Sequence, residues 1–186
     1  RKEADVLKLD RAMIDLVSGR PERAELALRE VRDNFDYLEQ KDVGEYSLSM
    51  LNDDTSLAYQ GEDYEKILVR AFLAISNMMY DGRDARAYCN QVTMKQEEII
   101  RRFAEETAGC NGNEATEEQK AAIENTVLQF KRVGLGALLC GIMDEESPST
   151  LSEAQRNFER LAGWEPGFVP GRSYVERAAA GHHSQP

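Results

Sequence analysis

The sequence predicts an all-α protein, and three observations carry that prediction. Apolar residues recur three and four positions apart along most of the chain, which is the spacing of one helix face. No segment alternates apolar and polar residues with period two over the length of a strand. Between the periodic segments stand helix-boundary signals: Gly19 before Pro21, Asp81-Gly82, the Gly109–Asn113 cluster and Trp164-Glu165-Pro166-Gly167. With 186 residues, 41% hydrophobic and 31% charged, the chain has apolar residues enough to bury a core.

In order, the first helix carries Val6, Leu9, Met13, Leu16 and Val17 and stops at Gly19. The second opens on Pro21, whose missing N–H costs nothing in a first turn, and presents Ala24, Leu28, Val31, Phe35 and Leu38. A short amphipathic piece, Tyr46 to Leu51, leads into an irregular connection marked by Asn52, Asp53, Asp54 and Gly61. Asp63 reads as the N-cap of a third helix running through Ile67, Leu68, Ala71, Phe72, Ile75 and Met79. The fourth places Ala85, Tyr88, Cys89, Val92, Ile99 and Phe103 inward and a solvated run of charges outward. Thr116 with Gln119 forms a capping-box pattern for a helix continuing to about Met143, with Gly134, Gly136 and Gly141 inside it for close approach or a bend. Thr150 with Glu153 repeats that pattern ahead of Ala154, Phe158 and Leu161, and a last helix spans Phe168 to about Ala180. Residues 1–181 read as one domain, and His182 to Pro186 as a tail.

Charge narrows the function classes. Lys and Arg number 23 against 34 Asp and Glu, a formal charge of −11, which opposes binding to nucleic acid or to an anionic membrane. The longest uncharged apolar stretch, Val133 to Met143, is about half of what a bilayer span needs. The chain starts at Arg1 without Met and is expected to be a fragment or processed form, with no export or lipidation signal in what remains. Cys89, Cys110 and Cys140 show neither a C-x-x-C pair nor metal-ligand spacing. Antiparallel helices meeting near Gly112 put position 89 opposite about 136, one turn from Cys140. Cys89 and Cys140 are therefore expected in one core layer, as free thiols.

Catalytic patterns are sparse. The two histidines, His182 and His183, lie in the tail, so Ser-His and Cys-His systems have no base in the helical part. Adjacent acids such as Asp53-Asp54, Glu97-Glu98 and Glu105-Glu106 point about 100° apart on a helix and make no shared site. No phosphate loop, calcium loop or Glu-x-x-His set is present, and no metal or cofactor is expected. Tyr59 to Glu65 is the most distinctive polar stretch. It reads either as a loop and helix cap or as a contact surface at the rim of a groove.

Three hairpins share a pattern in their second helices: Ala24, Leu28 and Val31; Ala85, Cys89 and Val92; Ala154, Phe158 and Leu161. The intervals from Ala24 to Ala85 (61) and from Ala85 to Ala154 (69) lie near twice 34 residues. This pattern resembles the tetratricopeptide repeat, best where Ala154, Phe158, Leu161 and Pro166 fall at its small, aromatic, apolar and proline positions, although the usual Trp-x-x-Leu-Gly start is absent. Tyr59-Gln60-Gly61-Glu62-Asp63-Tyr64-Glu65-Lys66, then Ala71-Phe72-Leu73-Ala74, then Gly82-Arg83-Asp84-Ala85 is similar to a family of bacterial envelope proteins, often lipoproteins, built from such hairpins. That resemblance implies a right-handed superhelix of degenerate hairpins and an exported, non-catalytic scaffold in the cell envelope or periplasm.

It also implies a concave face lined by first helices that holds a partner peptide or helix. Aligning Ala85 with the repeat's small position puts Ile67, Arg70, Ala74, Asn77 and Met78 on that face, with Tyr64 at its rim. Arg70 and Asn77, seven apart, share one side of a helix and could together hold a carboxylate or a peptide backbone, unless Arg70 is solvated or paired with a nearby acid. Two other readings stand beside the scaffold: a self-assembling structural subunit, and a carboxylate-based enzyme acting on cell-wall glycan.

Overall fold

The computed structural model describes residues 2–45, 59, 61–109, 115–129 and 131–182. Among the described residues there are eight α-helices and one 3-10 turn, and no strand. The expected short helix at Tyr46–Leu51 and the turn at Cys110–Asn113 lie outside the described residues. The sequence reads as one domain; the contacts cluster in two compact units, Arg1–Tyr88 and Cys89–Pro186.

The first unit contains α1 (Lys2–Val17), α2 (Pro21–Glu45), α3 (Asp63–Tyr80) and the opening turn of α4 (Ala85–Ala108). α2 packs on both α1 and α3. Ala12 and Leu16 of α1, Ala24, Leu28, Val31 and Phe35 of α2, and Val69, Leu73 and Ala74 of α3 are buried, the three-and-four spacing that buries one stripe per helix. α1 ends as expected at Gly19, which takes a φ of 73° while the Arg20 N–H returns to the Asp15 carbonyl at 2.8 Å.

The approach to α3 shows why Gly61 stands there. Its φ is 74°, and a Cβ on it would lie 2.5 Å from Cε2 of Phe35, so the backbone rests directly on that ring. Tyr59 meets the same ring edge-on, with centroids 5.8 Å apart. The Glu65 carboxylate accepts the Tyr59 hydroxyl and the Glu62 N–H, the latter at 2.7 Å. Glu62, not Asp63, is the N-cap, and Asp63 is the first residue of the helix. Burial and then the bond to Glu65 push the Tyr59 hydroxyl well above its ordinary pKa.

The second unit contains the rest of α4, α5 (Glu117–Gln129), α6 (Leu135–Asp144), the 3-10 turn Pro148–Thr150, α7 (Leu151–Trp164) and α8 (Pro170–Ala179). Thr116 and Gln119 form the expected reciprocal cap of α5 at 3.0 and 3.3 Å. The helix expected to run from there to Met143 is instead broken between α5 and α6. The reason is tertiary: the Val133 N–H donates to Gln96 of α4 at 3.0 Å, and Arg132 donates to both carboxylate oxygens of Glu97. Gly134 then opens α6 where a Cβ would meet Leu161 at 2.5 Å.

The expected box at Thr150 does not form. Its hydroxyl donates to the Asp144 carbonyl at 2.6 Å, tying the 3-10 turn to the end of α6. α8 begins at Pro170, two residues later than expected. The core of this unit is Ala137, Ala154, Phe158, Leu161 and Ala178, flanked by Trp164 and Tyr174. All nine residues of the shared Ala-large-large pattern are buried.

Candidate functional site on the first unit

The side of α3 that faces α2 is a polar seam. Lys66 donates to Glu39 at 3.1 Å, and Arg70 reaches both carboxylate oxygens of Asp36 at 2.5 and 2.8 Å while its other terminal nitrogen donates to the Lys66 carbonyl. Two turns on, the Asn77 amide donates to Glu25 at 3.1 Å and to Asp81 at 3.2 Å, and its carbonyl accepts the Asp84 N–H at 2.9 Å. Tyr88 closes the network: its hydroxyl donates to Glu25 at 3.1 Å and accepts from Arg29, whose guanidinium also binds Glu25 and Asp84. The Arg29 and Arg32 guanidinium groups lie 5.6 and 5.8 Å from the centre of the Tyr88 ring. Burial first, and then the bond to Glu25, raise the Tyr88 pKa above its ordinary value, while Arg29 works against them.

This arrangement revises the expected groove. Arg70 is 5% exposed and Asn77 2%, and both face α2 with their polar atoms engaged inside the unit; Ala74 is in the core beside them. Ile67 and Met78 are half-buried, and Tyr64 is exposed. Thus Arg70, Ala74 and Asn77 do come together, but as an internal seam, and Tyr64 lies on another side of the helix. Tyr59 to Glu65 forms a loop and helix cap, with Glu62 in the cap position and Tyr64 exposed.

Four of the residues expected to form the apolar face of α3, Leu68, Phe72, Ile75 and Met79, lie on the side opposite α2, where they are exposed or half-buried rather than core. Tyr64, Leu68, Phe72, Ile75 and Met79 fall within about 80° of one another at 100° per residue and form a continuous apolar stripe. Tyr64, Leu68 and Met79 are exposed and Phe72 and Ile75 half-buried. The signal was present in the sequence, because α3 is apolar over more than the one face its packing on α2 requires. Acidic residues stand at both ends of the stripe, Glu62 and Asp63 before it, Glu65 next to its first residue and Asp81 after it.

A cleft of about 770 Å³ lies between α1 and α2, lined by Asp5, Lys8, Glu30, Asn34 and Tyr37 among others. Its one lysine is bound to Glu30 at 2.9 Å, and Asn34 donates to Asp5 at 2.6 Å, so its charges largely satisfy one another. Among the described residues, no group of three His, Cys, Asp or Glu is placed to hold a metal, and no helix is long and apolar enough to cross a membrane. No family model, curated protein or solved structure matches the chain.

Proposed function

We propose that the chain is a non-catalytic protein-interaction scaffold, a tetratricopeptide-like array of the bacterial cell envelope, whose first unit binds an amphipathic partner helix along the outer stripe of α3. The observation that carries this reading is the exposed run Tyr64, Leu68 and Met79, bridged by Phe72 and Ile75, on a helix whose Lys66, Arg70, Ser76 and Asn77 are buried. Soluble chains bury such stripes or use them to recognise helices at i, i+3, i+4 and i+7. The acids at the ends of the stripe, together with the net charge of −11, select a partner helix with basic residues at its ends. The paired seam of Arg70 and Asn77 serves this reading by fixing α3 against α2, so that the stripe is presented rigidly.

The test is fluorescence anisotropy with a labelled synthetic amphipathic helix that carries leucines at helical spacing and lysines at both ends. Saturable binding is expected, lost in a Leu68→Lys, Met79→Lys double variant with unchanged circular dichroism and weakened when the peptide's end lysines become glutamates. Equal binding to parent and variant overturns the assignment to α3. So does an absence of binding while the parent sediments as a concentration-dependent oligomer, which is the outcome that the self-assembling alternative requires.

A further inference from the structure

α4 and α6 run side by side within the second unit, and their register brings two distant cysteines together. A Cβ on Gly136 would lie 2.8 Å from Cγ1 of Val92, so the α6 backbone sits directly on the Val92 side chain at that level. One helical turn further, Cys140 follows Gly136 by four residues and Cys89 precedes Val92 by three, on the facing sides of antiparallel helices. The Cys140 thiol lies 3.7 Å from Oδ1 of Asn90, the residue that follows Cys89. Both residues are buried, and both are free thiols in this structure.

We propose that Cys89 and Cys140 are a redox modification site, closed to an intramolecular disulfide by hydrogen peroxide without unfolding of the second unit. Burial of both sulfurs selects a small oxidant over a protein disulfide, which could not reach them in the folded chain. One of the two sulfurs attacks a peroxide oxygen, the O–O bond breaks, and that cysteine becomes a sulfenic acid as hydroxide leaves. The other sulfur then attacks the sulfenic sulfur and expels its oxygen as hydroxide. The two thiol protons turn both hydroxides to water, so two thiols and one peroxide give one disulfide and two waters.

Either sulfur can react first, because both routes end in the same disulfide. The crosslink would close a loop of 51 residues, from 89 to 140, and tie the strand of chain containing α5 to the core of the unit.

The experiment is peroxide treatment of the folded Cys110→Ser chain, which leaves only this pair, followed by intact-mass and peptide mapping. The expected result is a loss of two hydrogens, a linked pair of peptides containing Cys89 and Cys140, reversal by reductant, and a melting temperature raised on the order of 10 °C. In the further variants Cys89→Ala and Cys140→Ala neither the mass loss nor the melting shift should occur. If one of these fails to fold, the mapped linkage in the Cys110→Ser chain still decides. Overoxidation of either cysteine to sulfinic acid with no linked peptide overturns the proposal, as does a linkage that forms only in denaturant.

Discussion

The α2–α3 interface of the first unit and the α6–α7–α8 cluster of the second join their helices by different physics. Along α2–α3 the apolar contacts of Leu28, Phe35 and Leu73 are accompanied by ion pairs and amide bonds that run the length of the seam, from Glu39–Lys66 to Glu25–Asn77. In the second unit Phe158 is fully buried among alanines, with the Tyr174 ring 5.2 Å away and Gly141 pressed against its edge. Buried ion pairs add little net stability over an apolar replacement, but they penalise any register that separates the charges. A dry aromatic core adds stability in proportion to buried volume and tolerates no loss of it. The first interface therefore specifies how α3 is rotated, and thereby which face it leaves exposed. The second chiefly supplies cohesion.

The sharpest way to break this comparison is Phe158→Ala. Emptying that site should cost the second unit about 3–5 kcal/mol. Hydrogen exchange read on peptides of α6 to α8 should show it, with peptides of α2 and α3 unchanged. Equal loss of protection in both units would mean that they do not unfold separately.

A smaller effect is expected from Arg70→Ala, which strands Asp36 and loses the packed stem. Because the Asp36 side chain is 34% exposed and can rehydrate, the cost should be about 2 kcal/mol rather than the larger value of a fully buried pair. Arg70→Met, which restores the stem without the charge, should recover about half of it in urea unfolding. A loss under about 0.5 kcal/mol for the alanine variant would deny the seam any cohesive role.

The smallest expected effect is alkaline. Tyr59 and Tyr88 have pKa values raised by burial first and then by acceptance of their hydroxyl protons by Glu65 and Glu25. A raised folded-state pKa contributes stability that is complete below the unfolded value of about 10 and is lost as pH rises through the folded value. The first unit should accordingly begin to lose stability above about pH 10, and Tyr88→Phe should make that loss shallower. Thermal melts of parent and variant across that range provide the check; parallel curves would remove Tyr88 from the account.

Much of the helical pattern was legible because periodicity and capping are local. The Ala-large-large positions in three hairpins are all buried, and Thr116 and Gln119 cap α5 as their spacing foretold. The break at 131–134 was not legible, since it depends on Gln96 and Glu97, more than thirty residues earlier, capturing Val133 and Arg132. Nor could spacing decide between a free and a paired Arg70, whose partner Asp36 is 34 residues away on another helix. Thr150 shows the same limit at short range: a hydroxyl placed for a cap bonds the Asp144 carbonyl once a 3-10 turn brings that carbonyl within reach.

By itself, then, the sequence determined most of the helical segments and the apolar residues along them, because a helix repeats every 3.6 residues wherever it is placed. Only the tertiary structure decided which of two available faces α3 would bury. Arg70, Asn77 and Lys66 could have met solvent or a partner; the acids of α2 at matching heights drew them inward and left Tyr64, Leu68 and Met79 outside. That choice is a balance between desolvating a charge and pairing it, and it is settled by the distance between groups that the chain brings together only on folding.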